Sequence, residues 1–90
     1  MSIRVNIPHL LQYLTDNRKM AEVNGSTVGE CLKHLVKQFP PVEEALFDEH
    51  GKLNSYLDIY VNEESAYPEE LAKPVRSGDE LDIIFMIDGG

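Results

Sequence analysis

Apolar and polar residues alternate from Ser2 to Ile7, with Ile3, Val5 and Ile7 on one side and Ser2, Arg4 and Asn6 on the other. A period of two is that of a strand buried on one face. Pro8 ends it, because proline has no N–H to give to a ladder. His9 to Asn17 reads as a loop that returns Leu10, Leu11 and Leu14 to the core. Lys19 to Asn24 reads as a second strand, with Ala21 and Val23 inward, broken by Asn24-Gly25. The period then lengthens. Val28, Leu32, Leu35, Val36 and Phe39 form one stripe at helical spacing, with Lys33 and Lys37 off it. Thr27-Val28-Gly29-Glu30 fits a capping box, in which the threonine hydroxyl accepts from the Glu30 amide and the glutamate reaches back. Gly29 in the first turn costs up to about 1 kcal/mol relative to alanine, and a close approach of helix to sheet would account for it. Pro40-Pro41 cannot continue the helix.

The second half is mostly strands. Val42 to Phe47 predicts a short helical turn, His50-Gly51 a reversal, and Leu57 to Val61 a third strand with Leu57, Ile59 and Val61 opposite Asp58 and Tyr60. Asn62-Glu63-Glu64 is the next turn, and Glu69-Glu70-Leu71 a single turn of helix. Arg76-Ser77-Gly78-Asp79 is a strong turn signal. It launches the last strand, Glu80 to Ile87. Leu81, Ile83, Phe85 and Ile87 share one face of that strand; Ile84 and Met86 fall on the other with Asp82. Apolar side chains on both faces mark a strand central in its sheet. First and last strands side by side beneath one crossing helix make an α+β fold with one covered face.

Ninety residues suit one small domain, read here as a body at 1–87 and a tail at 88–90. No apolar run approaches the 18 or so residues that span a bilayer, and the N-terminus lacks the apolar stretch of a signal peptide. A single cysteine, Cys31, allows no internal disulfide. The expectation is a soluble cytoplasmic protein. The net charge is −8, and it lies in the second half: residues 46–90 hold eleven acids and three bases, while residues 1–45 hold five of each. That excludes phosphate-backbone binding as the main role. It leaves two readings of the acidic surface, solubility alone or steering toward a basic partner. His9, His34 and His50 lack metal-ligand spacing, so no metal is expected. Glu43-Glu44, Glu63-Glu64 and Glu69-Glu70 read as solvated surface, and Cys31 as a small buried hydrophobe. No catalytic set is present, and an enzyme is not expected.

The chain closes on Gly89-Gly90, directly behind the most apolar strand. Two residues without side chains can thread a narrow channel. The end is either a working group or a frayed terminus.

Four features are carried in order along the whole chain: Gly25-Ser26-Thr27-Val28-Gly29-Glu30 into the helix, Leu57-Asp58-Ile59-Tyr60-Val61-Asn62-Glu63, Ser77-Gly78-Asp79-Glu80-Leu81, and the final Gly89-Gly90. With them the chain resembles the β-grasp sulfur carriers of the ThiS/MoaD type, relatives of ubiquitin. Gly51 to Tyr56, leading into Leu57, looks nearest to the CysO-like branch and to archaeal MoaD-like modifiers. Phe85-Met86-Ile87-Asp88 stands where many MoaD-like members carry a proline-containing stretch.

The resemblance implies a mixed sheet packed on one main helix, and a protein that acts as a co-substrate. An E1-like partner would use ATP and magnesium to adenylate Gly90. A sulfur donor would convert the adduct to a thiocarboxylate. A client would then take the sulfur, either a cysteine-synthase-like enzyme using pyridoxal phosphate, followed by a metalloprotease, or the large subunit of molybdopterin synthase. The chain itself would bind no cofactor. The alternatives are a small subunit of molybdopterin synthase and a ubiquitin-like modifier joined to lysines through Gly90. Gly89 and Asp88 would thread the partner's channel, with a reach from Asp88 to Gly90 of at most about 10 Å. An apolar patch of Tyr60, Ile84 and Met86, with Asp82 and Asp88 meeting basic residues, would bind the E1-like partner.

Overall fold

The computed structural model describes residues 2–86. Strand β1 (Ile3–Asn6) pairs antiparallel with β2 (Met20–Val23), Ile3 opposite Val23. Helix α1 (Val28–Gln38) follows, then a 3₁₀ turn at Pro40–Val42 and the short helix α2 (Glu43–Leu46). Strands β3 (Leu57–Val61) and β4 (Glu64–Ser65) form a hairpin, and β5 (Glu80–Phe85) enters the middle of the sheet. The order across the sheet is β2-β1-β5-β3-β4. Only β1 and β5 run parallel. This is the β-grasp arrangement, a mixed sheet holding one helix.

The alternation of each strand decides what the helix covers. Ile3 and Val5 of β1, Ala21 and Val23 of β2, Leu57 and Ile59 of β3, and Leu81 and Ile83 of β5 are buried against Val28, Cys31, Leu32 and Leu35 of α1. Each large side chain in that set contributes roughly 1.5–3 kcal/mol when taken out of water. The even-numbered positions of β5 and β3 turn to the other face, which no element covers among the described residues.

Thr27 caps α1 as expected, its Oγ1 accepting from the Glu30 N–H at 3.1 Å. The reciprocal bond is displaced by one residue. Glu30 Oε1 accepts from the Ser26 N–H and from Ser26 Oγ, each at 2.8 Å. The Ser26 N–H is the chief reason the Glu30 carboxyl lies below its ordinary value. Gly29 is explained by a neighbour other than the sheet. A Cβ there would stand 3.1 Å from the Leu71 carbonyl oxygen and 3.2 Å from Leu71 Cβ. The helix start is pressed against the single 3₁₀ turn at Glu70–Ala72.

Three local expectations are corrected. His9–Leu14 is a 3₁₀ helix rather than a loop. Its three-residue period puts i and i+3 on one side. Leu11 and Leu14 therefore turn inward, while Leu10 is 64% exposed with Tyr13 beside it at 75%. Glu64 belongs to β4 rather than to the turn. Asn62 and Glu63 both take positive φ, 49° and 72°, the pair of angles that closes a two-residue hairpin. Finally, β5 ends at Phe85, and the inward position expected for Ile87 lies outside the described residues, as do Asp88, Gly89 and Gly90.

Candidate functional site: the open sheet face at the end of β5

β5 is flanked by β1 on one side and β3 on the other, so its outward side chains stand in the middle of the uncovered face. The register with β3 places Tyr60 directly opposite Asp82, and Asp58 opposite Ile84. One step further, the Met86 N–H donates to the Tyr56 carbonyl at 2.8 Å. Tyr60, Asp82, Ile84 and Met86, expected to act together, thus occupy consecutive rungs of one face. Ile84 is 41% and Met86 47% exposed. Tyr60 and Asp82 are half-buried. The roles expected for Asp88, Gly89 and Gly90 fall on residues outside those described.

The face changes character along β5. At its start, Asn6 Nδ2 donates to Glu80 Oε2 at 2.5 Å and to Asp82 Oδ1 at 2.7 Å. One neutral amide thus joins two carboxylates, and neither has an ion-pair partner among the described residues. Across the ladder, Asp58 accepts from Ser65 Oγ at 2.8 Å and from the Ile59 N–H at 2.9 Å. At the end of β5 the surface turns apolar, with Ile84 and Met86. A surface of this kind can hold an apolar side chain over Ile84 and Met86 and a cation over Asp82.

The turn that aims β5 is held by side chains. Asp79 accepts from the Arg76 N–H at 2.8 Å and from Asn62 Nδ2 at 2.9 Å, and Asn62 Oδ1 accepts from the Glu80 N–H at 3.0 Å. These bonds, the Arg76 N–H first, hold the Asp79 carboxyl below its usual range. They tie the β3–β4 hairpin to the first residue of the central strand.

Two neighbours of this surface escaped the sequence reading. The Tyr56 ring lies parallel to that of Phe85, centroids 6.1 Å apart with 1° between planes, and stiffens the last rung of β5. Met20, opposite Asn6 in register, adds exposed apolar area on the far side of β1. The outward phase of Met20 was implicit in the inward phase of Ala21 and Val23. No periodicity marks Tyr56, which precedes its strand.

The remaining candidates lie elsewhere. Cys31 is fully buried, and burial, helped by the charges of Glu30 and Asp79, pushes its thiol up to about 11. His34 Nδ1 accepts from the Asn24 N–H at 2.7 Å, a bond within the scaffold. Among the described residues no group of three or more His, Cys, Asp or Glu side chains could hold a metal ion. A concavity of about 820 Å³ lies between α1, α2 and the loop after it, lined by Lys33, Val36, Glu43 and Phe47 among others. It includes none of the expected site residues. Among the described residues no helix is long and apolar enough to cross a membrane.

Residues 5–90 match the ThiS family, and the chain belongs to that family. It is 31% identical to the sulfur carrier protein CysO of Mycobacterium tuberculosis strain H37Rv over 93 aligned positions, covering 100% of both chains. It is 33% identical to small archaeal modifier protein 1 of Haloferax volcanii over 70 positions, 77% of each. A chain of the Amycolatopsis orientalis BexX/CysO complex superposes with a TM-score of 0.88 at 30% identity, covering 98% of this chain and 99% of that one. The two named relatives are a sulfur carrier protein and a small modifier protein.

Proposed function

We propose that this chain is a sulfur carrier of the CysO type, with the Gly90 carboxylate as its working group and Gly89 as the residue that lets the end pass into a partner's channel. The observation that carries the proposal is likeness over the full length of a protein named as a sulfur carrier, with the diglycine inside the family match. A carboxylate is a poor acyl donor, because its oxygen is a poor leaving group. An E1-like enzyme would supply ATP; a carboxylate oxygen attacks the α-phosphorus and pyrophosphate leaves. A hydrosulfide equivalent from a sulfur donor then attacks the acyl carbon, and AMP departs with the electron pair of the broken bond. The thiocarboxylate is a nucleophile held on a protein, so sulfide need not be free.

The chain's own part is recognition and geometry. The rigid end of β5, braced by the Tyr56–Phe85 stack, fixes where the tail begins. Ile84, Met86 and Tyr60 supply contact area beside it, and Asp82, with Asp88, draws a basic partner surface. Cysteine synthesis is the pathway this reading favours for the client.

The test is intact-mass analysis after incubation with the E1-like enzyme of the same genome, ATP and a sulfur donor. The expected gain is that of exchanging one oxygen for one sulfur, and deletion of Gly90 should abolish it while the amide spectrum of the body stays unchanged. An unmodified wild-type chain, or an equally modified deletion, would overturn the reading. A second reading, conjugation to lysines through Gly90, is favoured by the likeness to a small archaeal modifier protein. Isopeptide-linked forms of the chain in cell extract would support it.

A further inference from the structure

β5 is longer than one of its two neighbours. β1 accompanies it only through Arg4–Glu80, Val5–Leu81 and Asn6–Asp82, whereas β3 follows it to Leu57–Phe85. The hydrogen bonds give the phase of each side. Met86 N–H to Tyr56 O and Asn62 N–H to Glu80 O, both 2.8 Å, show that even-numbered residues of β5 bond to β3. The odd-numbered ones face β1, as Arg4 N–H to Asp79 O at 3.1 Å confirms. Continuing that register would bring the N–H of residue 8 to the Ile83 carbonyl. Residue 8 is proline and has none. The Gln12 side chain does not substitute, since it donates to the Ile7 carbonyl at 3.1 Å. Among the described residues the Ile83 carbonyl and both the N–H and the carbonyl of Phe85 therefore have no backbone partner.

An unpaired edge of this kind is a template for one more strand. Resting on the reading that an enzyme takes the tail, we infer that this gap beyond Pro8 receives an extended segment of the E1-like partner, which adds a short strand alongside Phe85 and Met86. Its chemistry follows from the face it joins. Side chains landing beside Ile84 and Met86 are apolar, and the one at the segment's end toward Pro8, reaching back to Asp82, is a lysine or arginine; Glu80 lies beside Arg4 of β1. β5 from Glu80 to Met86 carries two acids and no base, and among the described residues the one polar side chain joined to those two acids is a neutral amide. A second copy of the chain fits poorly. It would bring a net charge of −8 against the same acids.

The experiment is amide hydrogen exchange by NMR on the full-length labelled chain, free and saturated with the E1-like enzyme without ATP. The enzyme is first shown to adenylate the chain. Exchange at Phe85 should slow by about tenfold or more on binding. A semisynthetic chain with an ester in place of the Phe85 amide should keep its fold and bind up to about tenfold more weakly, the worth of one net hydrogen bond. Adenylation with Phe85 exchange unchanged on binding overturns the added strand and leaves the carrier reading standing. Protection of Phe85 in the free chain, whether by its own tail or, if it grows with concentration, by a second copy, also overturns it. Failure of adenylation overturns both.

Discussion

Replacing Ile84 and Met86 together by alanine removes the apolar end of the open face and leaves the core untouched. Full burial of an isoleucine or methionine side chain is worth about 1.5–3 kcal/mol. The fold leaves 41% of Ile84 and 47% of Met86 exposed. A partner that covered both would thus gain about 0.6–1.2 kcal/mol from the first and about 0.7–1.4 kcal/mol from the second. Together these come to about 1.3–2.6 kcal/mol, or about 10-fold to 70-fold in Kd. The double variant should bind the E1-like enzyme more weakly by that factor in calorimetry, with the melting temperature little changed, since both side chains point away from α1. An affinity equal to wild type, in a folded variant, would refute the assignment of this face to partner binding. A melting temperature lowered as far as a core deletion lowers it would refute the assumption that the side chains are free.

Thr27→Ala removes the cap of α1 and should cost about 1 kcal/mol, read as a fall of about 4–8 °C in Tm. Gly29→Ala should fail to deliver the roughly 1 kcal/mol that alanine normally adds to a helix, because the new methyl meets the Leu71 carbonyl at 3.1 Å; urea unfolding measures the difference. Glu30, Asp48 and Asp79 are all held below their ordinary values, chiefly by backbone N–H groups of Ser26, Lys52 and Arg76 respectively. Their contribution is complete above the unfolded carboxyl range and is lost as pH falls through the folded values. Tm should therefore drop on acidification below about pH 4, and Asp79→Asn should flatten that drop. Cys31, with a thiol pushed up to about 11, should resist alkylation at pH 8 in the folded chain and react once urea unfolds it.

The parts of the fold legible in the sequence are those with a clean period and a signalled end. β3 runs from Leu57 to Val61 as its alternation says, and α1 starts behind Thr27 and stops before Pro40. β4 was illegible because two residues carry no period. The inward or outward phase of Leu10 was misjudged because a 3₁₀ turn sorts side chains by three, and a run of three leucines among polar residues does not reveal which period applies. The close neighbour of Gly29 could not be read either, since it comes from Leu71, 42 positions on in the chain. For the candidate site, alternation in β5 and β3 was enough to put Ile84, Met86, Asp82 and Tyr60 on one face. What alternation could not supply was the register between strands, and with it the pairing of Tyr60 with Asp82 and the gap that Pro8 leaves beside Ile83.

Placing the C-terminal strand at the centre of the sheet has a mechanical consequence. A pull on the tail is shared by a parallel ladder to β1 and an antiparallel ladder to β3, both loaded along their length. Such a geometry yields by sliding many rungs at once, not by peeling them one after another. On the function proposed above, an enzyme that gripped the last residues would therefore tug on them, and let go again, without unravelling the body to which they are attached.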